Sequence, residues 1–416
     1  MTMSTLVKDT DDLKKPALQS SAYTTSQPTK PKLQTRKTQV NGRTRHQSVN
    51  RAQTAQLHRP APPAHSKENG WGMLDMELQM FGDRCPKGYQ KLSLLGKGGV
   101  AVVWLCLRLE DSTKVALKQF PKKSNTASAA VEVNASEILA ESNHPGLRHI
   151  SKLLQIIDDA KDIWLAYEVG AQPLGKHLFD VKGEFFHGER IYSVIHKEFY
   201  QALGRDHRVL KDFIYMLAEA FDCLQESCIV HADVKPDNVL IDFDGQVLHG
   251  IKLIDFGSAF IYSHEPVGCD KIAATTPEYL APEVLHFLEN KSKHKTSAML
   301  CQQQQPWSYD MWSLGVILLE IMSGIPVWMS LKCRTVPCKG RSHIGPGILG
   351  VQGRVNAKIL SKQGEILKTM PKSICKNENY GLSENALFIN MLVRILDRNA
   401  VNRISPQELM AHPWLR

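Results

Sequence analysis

The sequence predicts an α+β fold in which a β-rich portion precedes a mainly helical one. Three observations lead there. From Tyr89 the apolar residues fall into short runs, Tyr89 to Leu95, Val100 to Leu107 and Lys114 to Phe120, with glycines between the first two. That is the pattern of an antiparallel meander with a glycine-rich turn. One helical stretch, Ala129 to Leu139, interrupts the strand-like runs, which resume at Leu153 to Ile157 and Trp164 to Val169. Beyond Leu210 helical spacing dominates, broken by loops rich in Asp, Asn, Gly and Pro.

The chain has 416 residues and is 43% hydrophobic, enough for one large two-part domain with an extension. No apolar run reaches the roughly 18 residues of a membrane span. The most apolar segment, Leu314 to Ile321, contains Gly315 and Glu320 and reads as a buried helix. The start Met1-Thr2-Met3-Ser4 has neither the apolar core of a secretory signal nor the second-position Gly of an N-myristoyl site. Nine cysteines are scattered singly, without a CxxC pair. Cys333 and Cys338 bracket a short loop, but no second ligand pair follows for zinc. Reduced thiols are expected, and with them an intracellular setting, cytoplasmic or nuclear.

The net charge of +9 is unevenly placed. Met1–Ser66 holds eleven Lys/Arg against three Asp, nearly the whole excess. Residues 1–68 are rich in Thr, Gln, Ser, Lys, Arg and Pro and poor in aromatics. Such a segment cannot bury enough apolar surface to offset its ordering entropy, so a disordered basic arm is expected. Contact with a polyanion or an acidic polymer is one role for it, a flexible tail with a localisation signal or phosphosites the other. Trp71 to Phe81 is apolar with a mixed period, suited to a short helix or strand packed on the β-rich part.

The chemistry-bearing residues come in a fixed order. Gly96-Lys97-Gly98-Gly99-Val100-Ala101-Val102-Val103 places small residues between two strand-like runs, where backbone amides can approach phosphates closely. Lys118 lies inside the apolar run Val115-Ala116-Leu117-Lys118, where an unpaired buried ammonium is costly; either it has a functional reason to be there or it lies on the exposed face of an edge strand. His231-Ala232-Asp233-Val234-Lys235-Pro236-Asp237-Asn238 is flanked by Ile229-Val230 and Val239-Leu240-Ile241. Asp255-Phe256-Gly257 follows Ile251-Lys252-Leu253-Ile254, and Ala281-Pro282-Glu283 comes after it. Each short motif alone is weak; the order and the element context make the signal.

In that order and context the chain resembles the eukaryotic-type protein kinase family from about Cys85 to its last residue. The resemblance implies a bilobal fold: a β-rich N-lobe with one main helix over residues 85–170, and a mainly helical C-lobe over residues 171–416. Three stretches look inserted relative to the compact form of the family, near 172–208, 286–308 and 331–357. The cofactors implied are ATP and Mg²⁺, and the reaction is transfer of the γ-phosphoryl group to Ser/Thr hydroxyls of protein substrates. Gly96, Lys97, Gly98 and Gly99 would cover the phosphates, with Ala101 in place of the third motif glycine. Val103 and Ala116 would line the adenine and Tyr167 would stand behind it. Glu168 and Gly170 would offer backbone groups to its edge.

By the same resemblance Lys118 would hold the α- and β-phosphates and pair with a helix Glu. Glu132 fits the spacing if Ala140 to Ser142 is a small insertion; Glu137 and no partner at all are the other readings. Asp233 would be the catalytic base, Lys235 would neutralise the γ-phosphate, and Asn238 and Asp255 would hold the metal through oxygen ligands. Thr276 would bond Asp233 and Lys235, Asp310 would anchor the catalytic loop, and Glu283 would pair with Arg403. Ala232 departs from the usual Arg. The competing reading is a pseudokinase scaffold that binds nucleotide or partners without turnover. Ala101 and Ala232 favour it; the set Lys118, Asp233, Asn238 and Asp255 favours catalysis.

Overall fold

A computed structural model describes residues 82–123, 126–186, 189–262, 276–289, 305–327, 329, 333–338, 341–346 and 381–416. The expectations for the 1–68 arm, for Trp71 to Phe81 and for most of 286–308 and 331–357 fall outside these residues. Among the described residues no helix is long and apolar enough to cross a membrane.

The first lobe is a five-stranded antiparallel sheet: β1 (Tyr89–Lys97), β2 (Val102–Arg108), β3 (Thr113–Pro121), β4 (Leu153–Asp158) and β5 (Asp162–Glu168), in spatial order β1-β2-β3-β5-β4. Register sorts its side chains into two faces. Trp104 pairs with Leu117, Leu117 with Ala166, and Gln119 with Trp164, so these lie on the outer face. There they form a buried cluster with Tyr89, Cys106 and Val115. Val103 pairs with Lys118 and Lys118 with Leu165, while Leu105 pairs with Ala116 and Ala116 with Tyr167. Val103, Ala116, Lys118 and Tyr167 therefore share the inner face.

Helix α1 (Thr126–Ala140) lies on that inner side and buries Ala129, Glu132, Ala135 and Leu139. The spacing is one helical face, and three of its four members are small or apolar. The fourth is an acid. Sequence reading starts this helix three residues late, because Thr126, Ala127 and Ser128 carry no apolar periodicity.

After β5 the chain crosses to the second lobe through a hinge, residues 169–171, and α2 (Leu174–Leu178) follows the short strand β6 (Gln172–Pro173). Strands β7 (Phe179–Phe186) and β8 (Glu189–His196) form a hairpin, followed by α3 (Glu198–Arg205) and α4 (His207–Glu226). Helix α4 is the spine of the second lobe, with Asp206 as N-cap accepting from the Arg208 N–H. The 3₁₀ turn Pro145–His149 packs directly on it. A Cβ on Gly146 would lie 1.9 Å from the Glu219 carbonyl oxygen, so only glycine permits that approach.

Strands β9 (Ile229–Val230) and β12 (Phe260–Ile261) pair, as do β10 (Val239–Phe243) and β11 (Leu248–Leu253). These two ladders bracket the loops that hold Asp233 and Asp255. Helix α5 (Pro282–Glu289) leads toward α6 (Ser308–Ser323), which is buried on all sides from Ser308 to Met322. A helix apolar all round belongs in a core, and α6 is the core of this lobe. Strands β13 (Cys333–Cys338) and β14 (Arg341–Pro346) come next, then α7 (Ala386–Ile395) and α8 (Pro406–Met410).

The β7–β8 hairpin and the β13–β14 hairpin join into one sheet, ordered β13-β14-β8-β7, through the pair Ile344–Tyr192. Two of the stretches read as insertions in the sequence thus form a single substructure.

Glu320 is the most deeply placed acid of α6, 2% exposed. One of its oxygens accepts from Tyr279 OH (2.7 Å) and from the Val327 N–H (2.6 Å). Burial pushes its pKa up to about 7. An unfolded Glu titrates near 4.3, so between about pH 4.3 and 7 the native state keeps a proton that the unfolded chain has lost. Stability therefore falls with rising pH over that window, by roughly 4 kcal/mol, and is flat above it. Glu320→Gln keeps an acceptor for both donors without the charge. Urea unfolding should show the variant more stable than the parent at pH 8 and the difference largely gone near pH 4.5. A difference independent of pH would contradict the assignment.

Candidate active site

The two lobes bring their polar residues together through short charged bonds. Lys118 Nζ donates to both oxygens of Glu132, at 3.0 and 2.7 Å, and to Oδ1 of Asp255 at 2.8 Å. Glu137 is exposed on the opposite side of α1. Tyr167 OH donates to Glu132 Oε1 at 2.8 Å, a bond that sequence reading did not foresee for this residue. Burial opposes the charge on Lys118, but Glu132 and Asp255 outweigh it and raise its pKa. The same ammonium overcomes burial at Asp255 and lowers its pKa. The Tyr167 phenol is pushed well up, first by burial and then by the Glu132 charge. This is a closed group of one cation, two carboxylates and one phenol.

Asp255 adopts a left-handed conformation, φ 69°, at the start of the turn Phe256–Ser258. Asp tolerates this region better than most residues, though it remains strained. The turn aims the carboxylate at Lys118 and buries Phe256 in the core of the second lobe.

Asp233 is the centre of a second group. Its Oδ2 accepts from Lys235 Nζ (2.7 Å) and from Asn238 Nδ2 (3.2 Å), and its Oδ1 accepts from the Thr276 N–H (3.1 Å). Lys235 Nζ also donates to Thr276 Oγ1 at 2.9 Å. Thr276 therefore meets Asp233 through its backbone and Lys235 through its hydroxyl. Asn238 donates a second bond to the Asp233 carbonyl at 2.8 Å. A carboxylate so surrounded by donors is held in one orientation.

The loop bearing Asp233 is fixed from behind. Asp310 on α6 accepts from the backbone N–H groups of His231 (2.7 Å) and Ala232 (3.0 Å). Ala232 has φ 64°, which this double bond holds in place. His231 opens the motif read in the sequence but is given no role of its own there; it links both loops. Its Nε2 lies 2.8 Å from the Ile254 carbonyl, its Nδ1 accepts from the Asp233 N–H (3.3 Å), and its ring packs on Phe256. Those partners assign the proton to Nε2. Arg403, fully buried, makes a two-pronged bond to Glu283 (2.7 and 3.0 Å) and anchors the start of α5.

The glycine-rich turn lies between β1 and β2, with Gly96 paired to Val103 and Lys97 to Val102. The Gly98 N–H donates to the Ala101 carbonyl at 2.9 Å. Lys97 and Gly99 are exposed. Glu168 faces outward from the sheet, where Lys252 donates to it at 2.6 Å, so only its backbone is directed along the hinge. At Gly170 a Cβ would lie 2.6 Å from Leu240 Cδ1, and the chain passes close over β10 there.

The donor set suits ATP with a divalent ion. Gly96 and Gly99 have open space where a Cβ would stand, the inner sheet face is apolar at Val103 and Ala116, and a cation waits at Lys118. Asn238 and Asp255 carry side-chain oxygens of the hard kind that would suit Mg²⁺ alongside phosphates. Among the described residues there is no group of three or more His, Cys, Asp or Glu that would form a ready-made metal cage. Mg²⁺ at such sites is held by one or two carboxylates plus substrate oxygens, so the sparse set fits.

The family model for the protein kinase domain matches residues 89–415. The chain belongs to the protein kinase family. It is 28% identical over 330 residues to the serine/threonine-protein kinase ULK3 of Homo sapiens, covering 79% of this chain and 55% of that protein. It is 25% identical to an Aurora kinase of Schizosaccharomyces pombe, covering 77% and 69%. To the MAP kinase-interacting serine/threonine-protein kinase 1 of Xenopus tropicalis it is also 25% identical, covering 78% and 67%. The chain spans about half the length of the ULK3 relatives it matches.

Proposed function

We propose that this chain transfers the γ-phosphoryl group of Mg-ATP to Ser and Thr hydroxyls of protein substrates. The observation that carries the reading is the Asp233–Lys235–Thr276 group, one carboxylate bonded to a cation and to the backbone of a threonine just ahead of Ala281-Pro282-Glu283. Phosphoryl transfer asks for positioning and charge neutralisation more than covalent chemistry. In this reading Asp233 orients the acceptor hydroxyl and takes its proton, and Lys235 offsets charge on the γ-phosphate. Lys118, fixed by Glu132, holds the α- and β-phosphates. The glycine turn Gly96, Lys97, Gly98 and Gly99 closes over them. Asn238 and Asp255 would hold Mg²⁺, which when bound neutralises the phosphate oxygens. Val103, Ala116 and Tyr167 line the base, and the backbone at Glu168 and Gly170 meets its edge. The Ser/Thr relatives and the lysine at position 235 support the acceptor class. Phosphoamino-acid analysis of a labelled substrate should return phosphoserine and phosphothreonine; phosphotyrosine alone would contradict it.

Ala232 bears on regulation. An Arg beside the catalytic Asp can bind a phosphate on the activation loop through charge-assisted bonds. Alanine has neither charge nor side-chain donor. Phosphatase-treated protein should keep most of its turnover on a peptide substrate. Loss of turnover that is restored by phosphorylation within residues 258–275 would show that another cation does this work.

The basic N-terminal arm acts, in this reading, on encounter rather than chemistry. Its excess charge suits an acidic polymer, and an intracellular setting is consistent with the free thiols of Cys85, Cys106, Cys223 and Cys228. Removing residues 1–66 should leave peptide turnover nearly unchanged. It should also abolish a polymer retention that salt weakens, since exposed charges are screened within about 8 Å at physiological ionic strength. Collapse of peptide turnover on truncation would contradict this role.

A further inference from the structure

Lining the base uses only the ring of Tyr167. Its hydroxyl is bonded elsewhere, to the one buried acid of α1: it donates to Glu132 Oε1 at 2.8 Å. Apolar contact between α1 and its own sheet is slight. The helix packs closely on the turn Phe256–Ser258 of the second lobe and only lightly on β3. Short side chains make the rest of its contact with the sheet. Ala129 lies with Phe120 and Leu165, and Val133 and Tyr167 border the same cluster. The fit below is close as well, since a Cβ on Gly257 would lie 3.5 Å from Glu132 Oε2.

Side-chain bonds to Glu132 therefore tie the helix to the sheet. Lys118 has three N–H donors, and all are engaged: two on Glu132 (3.0 and 2.7 Å) and one on Asp255 (2.8 Å). In the reading proposed above it must also reach the α- and β-phosphates, so nucleotide draws donors away from one carboxylate or the other. The one hydrogen that Tyr167 can donate goes to Glu132 and is not shared with Asp255. Burial and the Glu132 charge keep that phenol protonated, so it stays a donor. Glu132 is 1% exposed, and a carboxylate buried so deeply is costly to leave short of donors.

We propose that Tyr167 is a positioning residue whose hydroxyl holds α1 inward, so that the Lys118–Glu132 pair stays formed without a phosphate on the activation loop. This role deepens the kinase reading and rests on it. Phosphoryl transfer by such a site needs that pair in place, and loop phosphorylation is one way of securing it. Ala232, beside Asp233, offers a loop phosphate neither charge nor side-chain donor. A bond from β5 to α1 does not involve the loop at all. It runs from the strand that leads into the hinge to the helix that fixes Lys118, and it is available before nucleotide arrives.

The test uses full-length, phosphatase-treated protein and Tyr167→Phe, which keeps the ring and removes only the hydroxyl. Amide hydrogen exchange is followed without nucleotide. The α1 amides should exchange about tenfold faster in the variant, the low end for a lost hydrogen bond to a charged group, while those of β2 and β3 keep the parental rates. Turnover of a peptide substrate at saturating ATP should also fall about tenfold, with the peptide KM unchanged. In a Glu132→Gln background the same substitution should cost less than about threefold, because the charge of the acceptor is already gone. A tyrosine that merely filled space would give the same loss in both backgrounds. Parental exchange throughout α1, or an equal loss of turnover with and without Glu132, would overturn the proposal. If the parent itself transfers no phosphate, the reading of the reaction fails, and the exchange rates alone decide whether Tyr167 holds α1.

Discussion

Asp233→Asn should lower peptide phosphorylation by about 10²–10⁴-fold, the range for a lost general acid–base group. The substitution is nearly isosteric, and its amide oxygen can still accept from Lys235 or Thr276. The fold and the loop geometry should therefore survive, with unfolding midpoints close to the parent. What is lost is the charged acceptor that Lys235 (2.7 Å), Asn238 (3.2 Å) and the Thr276 N–H (3.1 Å) converge upon. Steady-state kinetics with saturating ATP would measure it. Equal turnover in the variant and the parent would remove Asp233 from the reaction.

Glu132→Gln should reduce turnover by about 10–100-fold, the kinetic equivalent of the roughly 1.5–3 kcal/mol carried by a hydrogen bond to a charged group. The reason is geometric. Glu132 is 1% exposed and gives both oxygens to Lys118, while Tyr167 donates to one of them. Glutamine keeps one acceptor but turns a donor toward the ammonium and removes the charge, so Asp255 is the one carboxylate left of the two that bond it. Glu137→Gln, on the exposed side of α1, should change turnover less than about twofold, as surface substitutions usually do. Parallel kinetics of the two variants would decide between them. A larger loss at Glu137 than at Glu132 would contradict this pairing.

Much of this site is legible in the sequence because its chemistry is local. Asp233, Lys235 and Asn238 lie within six residues of one another, and Asp255 follows one short hairpin later. The flanking apolar runs mark the strands that hold them. The Lys118 partner is harder to read, since α1 has three small or apolar residues on its buried face and two acids in range. Only the packing of Ala129, Ala135 and Leu139 settles which acid turns inward in the fold.

The bond from Tyr167 to Glu132 and the bridging role of His231 depend on residues far apart in the chain, so no spacing announces them. The β7–β8 hairpin had a usable signal, Phe179 and Val181 alternating with Asp180 and Lys182. Its other partner, β14, lies some 150 residues away and meets it at Tyr192 and Ile344. In β13 a proline at 337 and flanking cysteines conceal the strand pattern.

The central claim is that Lys118, Asp233, Asn238 and Asp255 form working phosphotransfer machinery. The most direct measurement is transfer of radiolabelled γ-phosphate from Mg-ATP to a generic protein substrate, with Asp255→Ala assayed beside the parent. The account predicts label on Ser and Thr with the parent and a fall of at least about 10²-fold with Asp255→Ala, as for other groups that stabilise transferring phosphate. Parent protein that binds nucleotide but transfers no more label than Asp255→Ala would identify a binding scaffold instead.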